Sequence, residues 1–142
     1  MNDDLTISIS NEITKEISDW LDVEYDKYES DNGVQCNFKQ FSIIAKDHEK
    51  LIGVLNGYTA FSEIYVDDLL VIPTHRRQGI GKKLLHYLEE HFKNQSFTNI
   101  NLVTNEFQAP EFYKKCGFTL EFIRKNPKFP QFTKYFFIKW LE

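Results

Sequence analysis

The chain has 142 residues, 42% of them hydrophobic, and at that length about 70% of the unfolded surface can be buried, enough for one continuous core. A second large domain is excluded on those grounds, and a single domain over residues 1–142 is expected. A net charge of -4 argues against general nucleic-acid binding, which needs a basic face to displace phosphate counterions, and no apolar run approaches the roughly 20 residues that span a bilayer.

The start, Met1-Asn2-Asp3-Asp4, lacks the basic and apolar stretches of a secretory leader, so a cytoplasmic protein with no membrane partner is expected. Leu5-Thr6-Ile7-Ser8-Ile9 alternates as a strand does. From residue 14 to about 28, Ile17, Trp20, Leu21 and Tyr25 recur at helical spacing, and Asp31-Asn32-Gly33 ends the helix. Residues 38–45 and 51–59 read as a hairpin around Lys46-Asp47-His48-Glu49-Lys50, and 64–72 as a further strand stopped by Pro73.

After Gly79 the period changes, and Ile80, Leu84, Leu85, Leu88 and Phe92 form one stripe of an amphipathic helix. Residues 99–104 are a short strand. Pro110 suits the first turn of a small helix, Gly117 its left-handed end, and 118–123 and 133–141 are closing strands. The summed order describes an α/β mixed sheet with helices on its faces. Thirteen Phe, seven Tyr and two Trp suit a specifically packed, sheet-rich interior. Cys36 and Cys116 stand far apart with no ligand-spaced partner, so reduced thiols and no metal are expected.

Chemistry concentrates where the strand ending Leu69-Leu70-Val71-Ile72-Pro73 runs through Thr74-His75-Arg76-Arg77-Gln78-Gly79-Ile80-Gly81-Lys82-Lys83 into a helix. Free N–H groups of a first helical turn, the positive end of its dipole and two glycines that bare the backbone make an anion site. Arg76, Arg77, Lys82 and Lys83 add positive charge to it. A P-loop is a poor fit, because its first Gly and its Ser or Thr fall on Arg76 and Lys83. A dinucleotide fingerprint fails at Leu84, where its third Gly belongs.

Arg76-x-x-Gly79-x-Gly81, preceded by Leu69-x-Val71-x-Pro73, resembles the first cofactor motif of the GNAT superfamily of N-acetyltransferases. Ala109-x-x-Phe112-Tyr113-x-Lys115-x-Gly117-Phe118 is similar to the second, and residues 38–142 can be laid along the family's order. The resemblance implies a GNAT-like acyl-CoA N-acyltransferase fold whose mostly antiparallel sheet splays between its fourth and fifth strands, here 64–72 and 99–104. It implies acetyl-CoA as co-substrate, its pantetheine along Leu69, Leu70 and Val71 and its diphosphate on Arg76, Arg77, Gln78, Gly79, Ile80, Gly81 and Lys82. It also implies direct attack of an amine on the thioester. Glu106 stands where many relatives carry Asn, a departure from the pattern.

Tyr113, matching the family's tyrosine, is the candidate general acid for the departing thiolate. An alkylamine is neutral in only about one molecule in 2,500 at pH 7, so a nearby carboxylate would help take its proton. Asp67 and Asp68 are the candidates. Strict alternation sets Asp68 with Ile64, Val66, Leu70 and Ile72, and Asp67 with Tyr65, Leu69 and Val71; a bulge would exchange them, and the choice stays open. Glu63 and Glu106 rank behind them, and His75, His86, His91 and His48 are read as exposed.

Eight acidic residues against Lys15 and Lys27 between Glu12 and Asp31 suggest attraction of a cationic acceptor, a small molecule or a peptide. The competing readings are a non-catalytic acyl-CoA-binding or regulatory module and, more weakly, a generic nucleotide-binding domain. The aromatic run Tyr135-Phe136-Phe137-Ile138-Lys139-Trp140 is compatible with an exposed edge in a homodimer or with a buried strand.

Overall fold

The structure, a computed structural model, describes residues 4–141; residues 1–3, on which the reading of the chain's start partly rests, and residue 142 lie outside them. The chain forms two compact units, Met1–Cys36 and Asn37–Glu142. In the first, helix α1 (Lys15–Asp31) starts where the Thr14 hydroxyl accepts the Ile17 N–H at 3.3 Å. It closes at Asn32, whose side-chain amide donates to the Tyr28 carbonyl at 2.8 Å. Residues 5–9, read as a strand, belong to no ladder. Alternation states only which residues would share a face, whereas a strand exists where a neighbour takes up its main-chain groups.

The second unit carries strands β1 (Lys39–Asp47), β2 (Lys50–Ala60) and β3 (Glu63–Val71), helix α2 (Ile80–Phe92), strand β4 (Asn99–Asn105), helix α3 (Glu111–Lys115) and strands β5 (Thr119–Arg124) and β6 (Lys134–Trp140). The sheet order is β1-β2-β3-β4-β6-β5, and every neighbouring pair is antiparallel except β3 with β4. This is the expected mixed α/β class with a mostly antiparallel, open sheet. The final aromatic run is β6, paired on both sides, so it offers no free edge to a second copy.

The core lies between the sheet and the stripe on α2. Leu84, Leu85 and Leu88 bury against Leu55, Ile64, Ile100, Phe118 and Phe137, each such side chain contributing about 1.5–3 kcal/mol. Ile80 on α2 and Phe112 and Tyr113 on α3 pack against the same cluster.

Two irregularities shape the sheet. The parallel β3–β4 ladder holds only Glu63 to Asn99, Ile64 to Ile100 and Tyr65 to Asn101; beyond it β3 stays with β2 and β4 with β6. The splay therefore opens between the expected strands. Its closed end is fastened by side chains: the Tyr65 hydroxyl donates to the Glu63 carboxylate, Asn99 Nδ2 donates to Glu63 Oε1 at 3.2 Å, and Asn101 Nδ2 donates to Asn99 Oδ1 at 2.8 Å.

The second irregularity is a bulge: Asn56 faces Asp68 and Gly57 faces Val66, which leaves Asp67 as the extra residue. Only glycine fits opposite it, since a Cβ on Gly57 would lie 2.2 Å from the Tyr65 carbonyl oxygen and 2.8 Å from Phe41 Cζ. The bulge shifts the alternation. Ile64 and Val66 before it, and Leu69 and Val71 after it, all pack toward the core, while Asp67, Asp68 and Leu70 are exposed.

Candidate active site

Strand β3 ends in a single 3-10 turn, Pro73–His75, and the chain then makes two left-handed steps before α2 begins. Arg77 has φ 64° and Gly79 φ 77°. Glycine takes that conformation freely, whereas at Arg77 it costs about 1 kcal/mol. Gly79 is the N-cap of α2 and has no side chain to cap with, and the first intrahelical bond runs from Lys83 N–H to the Gly79 carbonyl at 3.0 Å. The amides of residues 80–82 are thus presented to whatever sits before the helix.

The arginine that opens this turn is held by the strand it follows: Arg76 Nε donates to the Val71 carbonyl at 2.8 Å. His75, read as exposed, instead has its side chain largely covered and bonded through Nε2 to Asp47 Oδ2 at 2.8 Å, with Thr74 Oγ1 2.9 Å from Nδ1. That contact ties the turn to the β1–β2 hairpin. The pattern hid it because Asp47 lies 28 positions away.

Between the end of β3, the start of α2 and the segment that follows β4 is a cavity of about 940 Å³. Of the residues read as cofactor-binding, 69–71, Arg76, Arg77 and 79–82 line it, while Gln78 borders an adjoining groove that shares His75 and Ile80 with it. The facing wall is Phe107, Gln108, Ala109, Phe112, Tyr113 and Lys115. Apart from Tyr113, these had been given no role, although Ala109, Phe112 and Lys115 belong to the second motif. The cavity thus has an apolar strand along one side, helix amides at one end, and the cations Arg76, Arg77, Lys82 and Lys115 on its lining. Those donors fit a diphosphate, and the strand fits a slender, amide-bearing arm.

Tyr113 is wedged among Phe112, Phe118 and Phe137 with ring centroids 5.2, 5.9 and 5.7 Å away. Burial, and secondarily the Cys116 thiol, push its phenol up to about 12, so it holds its proton at neutral pH. Its carbonyl accepts from the N–H groups of Cys116 and Phe118 at 3.1 and 3.0 Å, closing α3 on Gly117 at φ 90°.

The sequence model of the acetyltransferase (GNAT) family matches residues 10–118. The chain belongs to that family. An acetyltransferase of Agrobacterium fabrum is 31% identical over 112 residues, covering 72% of this chain and 82% of the relative. A streptothricin acetyltransferase of Escherichia coli is 23% identical over 137 residues, covering 76% and 79%. The crystal structure of an acetyltransferase from Bacillus cereus superposes with a TM-score of 0.76 at 27% identity, over 95% of this chain and 98% of that one. The protein is accordingly an acetyl-CoA-dependent N-acetyltransferase.

On the sheet face away from the α2 core, the bulge sets the two candidate carboxylates of this GNAT acetyltransferase side by side. Asp68 is engaged: Asn56 Nδ2 donates to its Oδ2 at 3.3 Å, and the Ser42 hydroxyl donates to Asn56 Oδ1 at 2.6 Å. For Asp67, partial burial and then the Asp68 charge raise the carboxyl above its ordinary range. Asp67 also acts on Tyr58, whose phenol is raised by burial first, then by Asp67 and Glu63. Tyr58 stacks on Tyr65 with centroids 4.7 Å apart. Neither aspartate lines the cavity that Tyr113 borders. Among the described residues no helix is long and apolar enough to cross a membrane.

Proposed function

We propose that this acetyltransferase moves the acetyl group of acetyl-CoA to a primary amine of a small cationic molecule or a peptide, by direct attack, and that residues 1–142 act as one catalytic domain in the cytoplasm. The observation that carries the reading is the cavity itself: uncapped helix amides and cations at one end, Leu69 to Val71 along the wall, and a protonated, partly buried phenol across from them. In this reading the amides of 80–82, with Arg77 and Lys82, hold the diphosphate, and Arg76 acts partly by fixing the end of β3. The bound thioester supplies an electrophilic carbonyl. Tyr113 gives its hydroxyl proton to the departing sulfur, and Asp67 takes the proton that the attacking amine must lose. The continuous family match from residue 10 to 118 runs across both units and supports a single working domain.

A cationic acceptor is favoured by the acidic balance of residues 12–31 and by the carboxylates at the bulge. The streptothricin acetyltransferase among the relatives supports the amine class. The test is release of free thiol from acetyl-CoA against a panel of polyamines, aminoglycosides and peptide amines. At least one amine should raise thiol release tenfold or more over the amine-free rate. Tight acetyl-CoA binding with no release for any amine would support the non-catalytic module instead.

Asp67→Asn should lower turnover about tenfold at neutral pH and remove the acid limb of the wild-type pH profile. The sign follows from the raised carboxyl: Asp67 stays protonated, and unable to accept, to a higher pH than an ordinary aspartate, so the rate climbs as pH passes through that raised value. Measured kcat against pH at saturating amine checks this. An Asp67→Asn profile superimposable on the wild type would remove Asp67 from the reaction.

A further inference from the structure

Strand β6 carries a lysine where its pattern calls for an apolar side chain. Lys139 faces Ile100 across the β4–β6 ladder and follows Phe137 by two positions, so all three point to the side of the sheet that α2 covers. Ile100 and Phe137 are fully buried there. An ammonium group on that face is costly unless it is paired and hydrogen-bonded. An apolar side chain of similar volume would serve stability as well or better, so the charge has its use in geometry.

The lysine Nζ joins three elements. It pairs with Glu89 Oε1 on α2 at 2.5 Å, donates to the Cys116 carbonyl at the end of α3 at 3.0 Å, and lies 5.8 Å from the ring centre of Phe118. The Lys139 and Glu89 side chains are 29% and 23% exposed, so water screens this pair less than one on the open surface. The fit is close, since a Cβ on Gly117 would stand 3.1 Å from Nζ and 3.3 Å from Cε of the lysine.

What the lysine grips is the carboxyl end of the element that carries Tyr113. Helix α3 has five residues and no fully buried side chain, and a single helical turn does not hold itself in place. On one side it leans on the start of α2, where a Cβ on Gly81 would lie 3.1 Å from Phe112 Cζ. Its end is the cap in which the Tyr113 carbonyl accepts from the Cys116 and Phe118 amides, and the carbonyl of that same Cys116 is the one Lys139 holds. The rings around Tyr113 leave it room to slide, because such contacts are favourable over about 4.5–7 Å between centroids. Proton transfer is less tolerant: an ångström of misplacement costs about 10²-fold in rate.

We infer that Lys139, braced by Glu89, is a positioning residue for acetyl transfer, setting α3 and with it the Tyr113 hydroxyl against the thioester sulfur. The inference rests on the reading of Tyr113 as general acid. Lys139 is not among the residues that line the acetyl-transfer cavity, so its effect is carried through α3.

The test uses the full chain and Lys139→Met, which removes the charge and keeps the length of the stem. In thiol release with the fastest amine of the panel above, kcat should fall about fivefold while KM for acetyl-CoA changes less than twofold. On a Tyr113→Phe chain the same substitution should cost less than twofold, because the hydroxyl it positions is gone. A second arm needs no acceptor. With the tyrosine Cζ carbons isotope-labelled for NMR, CoA alone should shift the Tyr113 signal of the wild type, and in Lys139→Met that shift should at least halve at equal CoA affinity. Glu89→Ala leaves the lysine in place and should give the same split at smaller size, which keeps the test decisive if Lys139→Met folds poorly. An unchanged kcat, an unchanged Tyr113 shift, or an equal loss on the Tyr113→Phe chain would each overturn the positioning role while leaving the general acid standing. Tyr113→Phe with kcat at the wild-type value, or a wild-type Tyr113 signal that CoA does not move, would instead remove the acid itself and this proposal with it.

Discussion

Tyr113→Phe should slow acetylation at least tenfold while acetyl-CoA affinity changes less than twofold. The phenol ring is held by Phe112, Phe118 and Phe137, and a phenylalanine keeps all three contacts, so neither the cavity wall nor α3 has reason to move. What is lost is one proton donor. Its ionisation is pushed up to about 12, so the wild-type side chain carries its proton across the whole range in which the fold is assayed. A positioned general acid contributes about 10²–10⁴ in rate, and water in the cavity recovers part of that when the hydroxyl is removed. Steady-state kinetics and calorimetric titration with acetyl-CoA separate the two parameters. An unchanged kcat would assign Tyr113 to packing alone.

Gly79→Val should weaken acetyl-CoA binding at least tenfold with only modest loss of stability. Gly79 sits at φ 77°, and a β-branched residue there costs about 1–2 kcal/mol. Among the described residues, no atom outside the adjoining chain lies within 4 Å of where its Cβ would stand, so packing raises no steric objection. The space in front of the helix amides is open, and a valine would occupy the ground a diphosphate needs. Gly79→Ala grades the effect, keeping the strain while adding less bulk. Calorimetry beside a thermal melt makes the distinction. If both variants lose stability while acetyl-CoA affinity stays at the wild-type value, the diphosphate binds elsewhere.

The two predictions differ in how far they were visible before folding. The turn at Gly79 and Gly81 is a local device, with a strand, two glycines, flanking arginines and a helix all within about 20 consecutive residues. Its geometry follows from the backbone freedom of glycine and from a 3.6-residue period, both written along the chain. Tyr113 was legible only through the second motif's resemblance. Its neighbours Phe107, Gln108 and Lys115 went unassigned, because facing walls of a cavity share no sequence spacing. His75 was read as exposed for the same reason: the aspartate that holds it is 28 residues away.

Periodicity misled in two instructive places. Residues 5–9 alternate as a strand should, yet no ladder includes them. At Asp67, one extra residue reverses the phase of everything after it, so Leu69 and Val71 join Ile64 and Val66 rather than Tyr65. The only sequence trace of that bulge is Gly57, on the neighbouring strand, where the approach of the Tyr65 carbonyl leaves no room for a side chain.

The sequence by itself determined which segments become helix or strand in the sheet-bearing unit, where the glycine turn before α2 lies, and the family to which they belong, because these depend on contacts within one turn or a few residues. Only the tertiary structure decided that β6 is interior rather than an edge, and that Asp67 and Asp68 stand side by side on one face. Strand order, register and bulges are set by hydrogen bonds between segments distant in the chain, and no local pattern encodes which distant segment will supply them.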